Sequence, residues 1–300
     1  MVNDRFQGTG TALVTPFTSE GELDEAAVSR LVDFQLAAGV EMILPCGTTG
    51  EGINLTIEEY EQIVTSIVER VAGRAVVIAG AGSNSTKQAI NLAKLAKACG
   101  ADGILSVGPY YNKPTQAGFV EHFRAIAEVD DLPVVIYNVP SRTGSNILPE
   151  TVLSIAQIPG VVAVKESSGS LVQAMEIIKN KPEGFRVLSG DDWAALPILA
   201  MGGDGVVSVA ANEVPERIHE MVEAALAGEI AQARAFHYSL LPLMQANFIE
   251  TNPIPVKAML SMMGLITESY RLPLVPISPE NRMRLRQVAQ DAGLVLKAEV

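Results

Sequence analysis

The chain has 300 residues, 48% of them apolar and 19% charged, with 22 Lys and Arg against 34 Asp and Glu for a net charge of −12. This is a folding composition, too apolar for disorder, and its acidic balance argues against binding nucleic acid or an anionic membrane through net charge. No run approaches the ~18 apolar residues of a membrane span. Met1–Gly10 lacks a basic-then-apolar signal pattern. Cys46 and Cys99 are the whole cysteine complement, so neither a disulfide framework nor a cysteine-based zinc site is expected. A cytoplasmic protein with reduced thiols is expected.

In chain order, short β-branched apolar runs alternate with amphipathic stretches. The runs are Thr11–Phe17, Met42–Cys46, Ala75–Ala79, Gly103–Val107, Pro133–Val139, Val161–Glu166, Arg186–Ser189 and Val206–Ala210. Several lack polar alternation, which suits parallel strands covered on both faces. Between the first two, Asp24–Ala38 carries Val28, Leu31, Val32, Gln35 and Leu36 at helical spacing, and Gly39 stops it. Thr56 followed by Glu59 has the pattern of a capping box. Ser83 or Asn84 opens the next helix, which ends at Gly100.

This alternation implies parallel βαβ units. Eight of them in about 225 residues match a closed (β/α)8 TIM barrel of the α/β class better than an open doubly wound sheet, although the pattern admits both. From Gly228 no further strand run appears. Ile230–Phe248, Pro253–Met263 and Pro279–Ala292 read as helices. Residues 1–227 are therefore expected to form the barrel and residues 228–300 a helical extension packed on it.

Barrel enzymes work at the C-terminal ends of their strands, and that rule selects candidates by itself. Lys165, one of nine lysines, is alone in ending an apolar strand, Val161–Val164. By period 2 it shares a face with Ala163 and Val161. If that face is the interior, poor hydration lowers the amine's pKa and makes it a nucleophile able to condense with a ketone. A rim lysine paired to a carboxylate fits the same position. Tyr137 lies inside the neighbouring strand, where a phenol can pass protons or simply fill core. Thr48 and Thr49 occupy a turn bounded by Gly47 and Gly50 and suit a carboxylate or ordinary turn chemistry. Arg142, in a Pro/Gly-bounded loop, suits bidentate capture of a carboxylate or solvation at the surface. Tyr110 and Tyr111 invite stacking or an interface. Asp191 and Asp192 read as caps of the following helix.

Other chemistries are set aside. His122, His219 and His237 lie far apart in predicted helices, without metal-ligand spacing, so no metal is expected. There is no P-loop and no Gly-x-Ser-x-Gly elbow. Gly80-Ala81-Gly82 is a weak phosphate signal, lacking the third glycine of a dinucleotide fingerprint.

Taken together, Gly47-Thr48-Thr49-Gly50-Glu51, Tyr110-Tyr111-Asn112-Lys113-Pro114, Tyr137 to Gly144 and Val164-Lys165-Glu166 resemble the dihydrodipicolinate synthase and N-acetylneuraminate lyase family of pyruvate-dependent class I aldolases. The resemblance runs from Gly8 in the first strand into the C-terminal helices. It implies that Lys165 forms an imine with pyruvate, that the derived enamine attacks L-aspartate 4-semialdehyde, and that cyclisation releases 4-hydroxy-tetrahydrodipicolinate on the diaminopimelate route to lysine. In that reading Tyr137 shuttles protons, Thr48 links it to Tyr111 of a neighbouring subunit, and Thr49 holds the pyruvate carboxylate. Arg142 binds the semialdehyde carboxylate and the Val207 carbonyl contacts the site. No cofactor is implied, because the imine is itself the electron sink. Sialic acid lyases and 2-keto-3-deoxy sugar acid aldolases are the alternatives, and Arg142, Thr48, Thr49 and Tyr111 weigh against them. A catalytically dead barrel is weighed against by the intact Lys165, Tyr137 and Thr48.

The resemblance also implies a homotetramer, a dimer of tight dimers. Many relatives are inhibited by lysine at a subunit interface, a site that by position involves Gly52, Ile53, Ile57, Tyr60, Asn84, Gln88 and Tyr110. Asn84 and Tyr110 match the inhibited pattern. Gln88 replaces the usual Glu, and Ile57 and Tyr60 stand where many members place His. A neutral amide is a weaker partner for an ammonium than a carboxylate, so weak or absent lysine inhibition is expected.

Overall fold

The computed structural model describes residues 5–129 and 131–297. Eight parallel strands close into a barrel in sequential order, the eighth pairing with the first through Gly10↔Val207. The units run β1 (Gly8–Ala12), α1 (Glu25–Ala37), β2 (Met42–Leu44), α2 (Ile57–Val71), β3 (Val76–Gly80), α3 (Thr86–Ala98), β4 (Gly103–Val107) and α4 (Gln116–Ala127). They continue as β5 (Val134–Asn138), the single turn α5 (Pro140–Thr143), α6 (Pro149–Ile155), β6 (Val161–Glu166), α7 (Leu171–Asn180), β7 (Arg186–Ser189), α8 (Asp192–Ala200), β8 (Gly205–Ser208) and α9 (Pro215–Leu226). Three more helices follow: α10 (Ile230–Ala246), α11 (Ile254–Met262) and α12 (Pro279–Asp291). The closed barrel is the architecture expected over an open sheet.

Local signals explain most element ends. Asp24 caps α1 by accepting from Ala27 N at 2.9 Å. Thr56 and Glu59 form the reciprocal capping box of α2, with bonds of 3.2 and 2.9 Å. α3 starts later than expected, at Thr86 after Ser85, because the Ser83 hydroxyl first closes a turn on Ser85 N. β1 lies at Gly8–Ala12 rather than Thr11–Phe17. Apolar content misplaced it: Leu13, Val14 and Phe17 are buried beyond the strand, while the ladder uses glycine and threonine.

The barrel interior is filled by Ala12, Met42, Leu44, Val76, Ile78, Leu105, Val135, Tyr137, Ala163, Leu188 and Val207. The intervening positions pack outward against the helices. β6 breaks strict alternation. Val134 pairs with Val161 but Val135 pairs with Ala163, so Val162 is an extra residue in the ladder. Val161 consequently packs in the outer layer, whereas Ala163 and Lys165 face inward. Period 2 alone had placed Val161 on the lysine's face. The last three helices share an apolar core with α8 and α9, built around Leu199, Met221, Leu240, Met244, Met259 and Leu285. Among the described residues, no helix is long and apolar enough to cross a membrane.

Candidate active site

A cleft of about 560 Å³ opens at the C-terminal ends of the strands. Its wall includes Thr48, Thr49, Tyr137, Arg142, Lys165, Gly190 and Asp191, together with Phe248, Glu250, Thr251 and Asn252 from beyond α10. Five of the seven residues to which the resemblance gives a catalytic or substrate-binding role therefore meet in one place.

Lys165 and Tyr137 are direct ladder partners on β6 and β5. The Lys165 Nζ stands 4.3 Å from the centre of the Tyr137 ring. Lys165 is only 6% exposed. Burial pulls its pKa down to about 8, opposed by the negative charges of Asp191 and Asp192 and helped by Arg142. Burial also pushes the Tyr137 phenol up to about 12, so it stays protonated at neutral pH. Gly190, directly after β7, makes room for the lysine stem. A Cβ there would lie 2.9 Å from Lys165 Cε and 3.0 Å from Cγ.

Asp191 lines the cleft and makes no side-chain capping bond to α8, contrary to the cap expected of it. Burial raises its pKa to about 6, while Lys165 draws it back. Asp192, the first residue of α8, does not cap that helix either: its Oδ2 reaches the segment after β8 and accepts from Val209 N at 3.1 Å and Ala210 N at 3.0 Å. Glu166 turns away from Lys165 into a buried polar network, where it accepts from Ser168 N at 2.7 Å and Asn138 Nδ2 at 3.1 Å.

Thr49 is buried and Thr48 exposed at the cleft edge. The Thr49 Oγ1 accepts from Asn252 Nδ2 at 2.9 Å. Arg142 at the mouth donates to the Asn252 carbonyl at 3.3 Å. Asn252 thus touches both residues suited to carboxylates, and sequence reasoning missed it. Asn252-Pro253 is a turn-marking dipeptide immediately before a helical pattern, but nothing local tells which strand it meets. Val207 is fully buried in the interior, and Val209, two residues on, reaches the cleft wall.

Tyr111 does not join the cleft. It is 89% exposed, with φ 71°, and projects from the loop after β4. Tyr110 instead lines an adjoining cavity of about 490 Å³ with Gly52, Ile53, Tyr60 and Gln88, and Thr48, Tyr137 and Arg142 belong to both spaces. The Tyr60 hydroxyl there is buried without a hydrogen-bond partner among the described residues.

Two other signals have packing explanations. Cβ atoms at Gly80 and Gly82 would lie 2.2 Å from the Cys46 carbonyl oxygen and 2.4 Å from Val107 N. Close backbone approach accounts for both glycines. His219 sits between two carboxylates, with Nδ1 3.4 Å from Glu41 and Nε2 3.6 Å from Glu223. Their possible ligand atoms all lie within 4.8 Å. This group occupies the N-terminal end of the barrel, opposite Lys165, and spacing along the chain did not reveal it because Glu41 comes from a different element.

A model of the dihydrodipicolinate synthetase family matches residues 5–292. The chain belongs to this family. It is 52% identical over 297 residues to the 4-hydroxy-tetrahydrodipicolinate synthase of Koribacter versatilis, covering 99% of each chain. Its fold superposes on the dihydrodipicolinate synthase of Aquifex aeolicus with a TM-score of 0.95 at 47% identity, covering 98% of this chain and 100% of that one. A chloride-inhibited dihydrodipicolinate synthase from Acinetobacter baumannii, solved in complex with pyruvate, gives a TM-score of 0.95 at 40% identity, covering 96% and 99%.

Proposed function

We propose that this protein is a lyase that condenses pyruvate with L-aspartate 4-semialdehyde to give 4-hydroxy-tetrahydrodipicolinate, through an imine on Lys165. The observation that carries the reading is a buried lysine whose pKa is lowered to about 8, held against Tyr137 in a cleft with carboxylate-binding groups on its wall. Full-length relatives named for this activity support it.

In this reading the neutral Lys165 amine attacks C2 of pyruvate. The carbinolamine loses water and becomes a protonated imine. That imine is an electron sink, so the methyl group gives up a proton and the enamine forms. The enamine carbon attacks the aldehyde, and the alkoxide that develops takes a proton. The amine of the acceptor then attacks the imine carbon, closing the ring and expelling Lys165. Tyr137, protonated at neutral pH, serves as the proton carrier. Thr49 holds the pyruvate carboxylate and Arg142 that of the acceptor. The Val207 carbonyl contributes from β8. No metal or organic cofactor enters this scheme.

Thr48 connects Tyr137 to Tyr111 supplied by a second copy, which fits the exposure of Tyr111 here. We accordingly infer a homotetramer built from tight dimers, working in the cytoplasm. We assign residues 1–227 to the catalytic barrel and 228–300 to the helical extension. Lysine inhibition is expected to be weak or absent, because Gln88 offers an amide, and not a carboxylate, to the cavity beside Tyr110.

The experiment is an acceptor panel with purified protein and pyruvate, comparing aspartate semialdehyde, N-acetylmannosamine and glyceraldehyde by carbon–carbon bond formation. Turnover with the semialdehyde alone is expected. Turnover with a sugar aldehyde instead would keep the lysine chemistry and overturn the acceptor assignment.

A further inference from the structure

The cleft is also held from behind, by charges that the reaction scheme leaves unused. Glu51 closes the turn that carries Thr48 and Thr49, with its backbone in the left-handed region at φ 51° and its side chain removed from water. Its Oε1 accepts from Lys257 Nζ at 2.5 Å, and its Oε2 from Arg271 N at 3.2 Å. Lys257, from α11, is likewise fully buried, 4.4 Å from the Phe17 ring centre and 5.3 Å from that of Tyr270. Burial lowers the Lys257 pKa and the Glu51 carboxylate raises it.

A pair of this kind is a poor source of stability. Removing both charges from water costs about as much as their attraction returns, and well-packed apolar residues of similar volume commonly do as well. Its use is therefore sought in geometry. The turn is stiff within itself: Glu51 N bonds the Thr48 carbonyl at 3.1 Å, and Gly52 N bonds that of Gly47 at 3.0 Å. A Cβ on Gly52 would lie 1.9 Å from the Cys46 carbonyl oxygen, so the two backbones pack in close contact where the turn closes. A stiff turn moves as one body, and its position is set by what grips it from outside. Thr15 Oγ1 donates to the Gly50 carbonyl at 2.6 Å from the barrel side. The C-terminal segment grips it three times, through Asn252 at Thr49 and through Lys257 and the Arg271 backbone at Glu51.

We infer that the Glu51–Lys257 pair is a positioning unit for the pyruvate carboxylate. It registers the Thr48–Thr49 turn against α11 and so sets the distance between a carboxylate on Thr49 and the Lys165 amine. The inference rests on the reading of Thr49 as the pyruvate-binding residue. The pair acts in the first half-reaction, from binding to imine formation, and not on the acceptor.

The test uses the full-length protein and three variants. Glu51→Gln/Lys257→Met removes both charges together, leaving no unpaired ion. Glu51→Asp keeps the charge and shortens its reach by one carbon. For both, kcat/KM for pyruvate and the rate of borohydride-trapped adduct formation are expected to fall about tenfold, because a small misplacement of a reacting group is amplified in rate. kcat/KM for the semialdehyde should stay at the wild-type value, and the melting temperature of the double variant should stay close to it. Thr49→Ala serves as the control and should lower kcat/KM for pyruvate as well. If Thr49→Ala is impaired while a folded double variant or a folded Glu51→Asp handles pyruvate as wild type does, the positioning role is overturned alone. If Thr49→Ala itself has wild-type kcat/KM for pyruvate, the assignment of Thr49 falls and the inference falls with it.

Discussion

Gly190→Ala places one methyl group against Lys165, the proposed nucleophile. The added Cβ would stand 2.9 Å from Lys165 Cε, 3.0 Å from Cγ and 1.9 Å from Ser167 Oγ. Carbon atoms rest about 3.5–4.0 Å apart, so the lysine stem must retreat by roughly 0.6–1 Å. The backbone resists giving way, because Gly190 N is bonded to the Glu166 carbonyl at 2.9 Å. The Ser167 hydroxyl can rotate aside, but the lysine can yield only toward the cleft it lines or toward the Tyr137 ring, and either movement displaces its amine. Overpacking of this size costs ~1–3 kcal/mol in stability. A misplacement of about 1 Å at a reacting group costs on the order of 100-fold in rate. Gly190→Ala should therefore fold with a modestly lowered melting temperature and form the pyruvate adduct about 100-fold more slowly, read by rapid mixing and borohydride quench. Ser167→Gly added to it removes the hydroxyl clash and leaves the lysine clash, so the rate should stay low. Wild-type trapping in Gly190→Ala, or full rescue by Ser167→Gly, would refute the claim that this glycine sets the lysine's position.

Four further outcomes follow from the same geometry. With the Lys165 pKa at about 8, kcat/KM for pyruvate should rise with pH through that value as the ammonium loses its proton. A limb near the ordinary lysine range would contradict this. Asp191→Asn removes a negative charge that favours the ammonium, so the limb should move to lower pH, as a pH profile of the variant would report. Arg142→Ala should lower kcat/KM for the semialdehyde by about 10–100-fold, the worth of a charge-assisted carboxylate contact, and change that for pyruvate far less. Equal losses on both substrates would remove Arg142 from acceptor binding. Asn252→Ala deletes the bond to Thr49 and keeps the backbone bond to Arg142. The loss should fall on pyruvate, by roughly 2–10-fold for one hydrogen bond, with the semialdehyde constant showing whether it spreads.

The barrel was legible because parallel strands buried on both faces write themselves as short apolar runs. The ends of those strands were legible because polar residues follow them abruptly. Three features escaped for identifiable reasons. β1 is a ladder of Gly and Thr residues, and the apolar residues after it drew the strand assignment toward the C-terminus. The bulge at Val162 adds one residue that leaves no mark in the side-chain pattern, yet it reverses the face of Val161. Asn252 and Lys257 meet the turn after β2 across about 200 residues of chain (|i−j| 203 and 206). No periodicity or local motif encodes such a contact. Asp191 was misjudged for a related reason: the sequence places it at a helix start, and only the closed barrel turns it toward the lysine.

The central claim is that Lys165 is the nucleophile, and its most direct measurement is chemical. The protein is incubated with pyruvate, reduced with borohydride and digested, and the modified peptide is identified by mass. The account predicts a single pyruvate adduct on the peptide carrying Lys165, absent from Lys165→Ala. An adduct of undiminished yield in Lys165→Ala, or one located on another lysine, would contradict it.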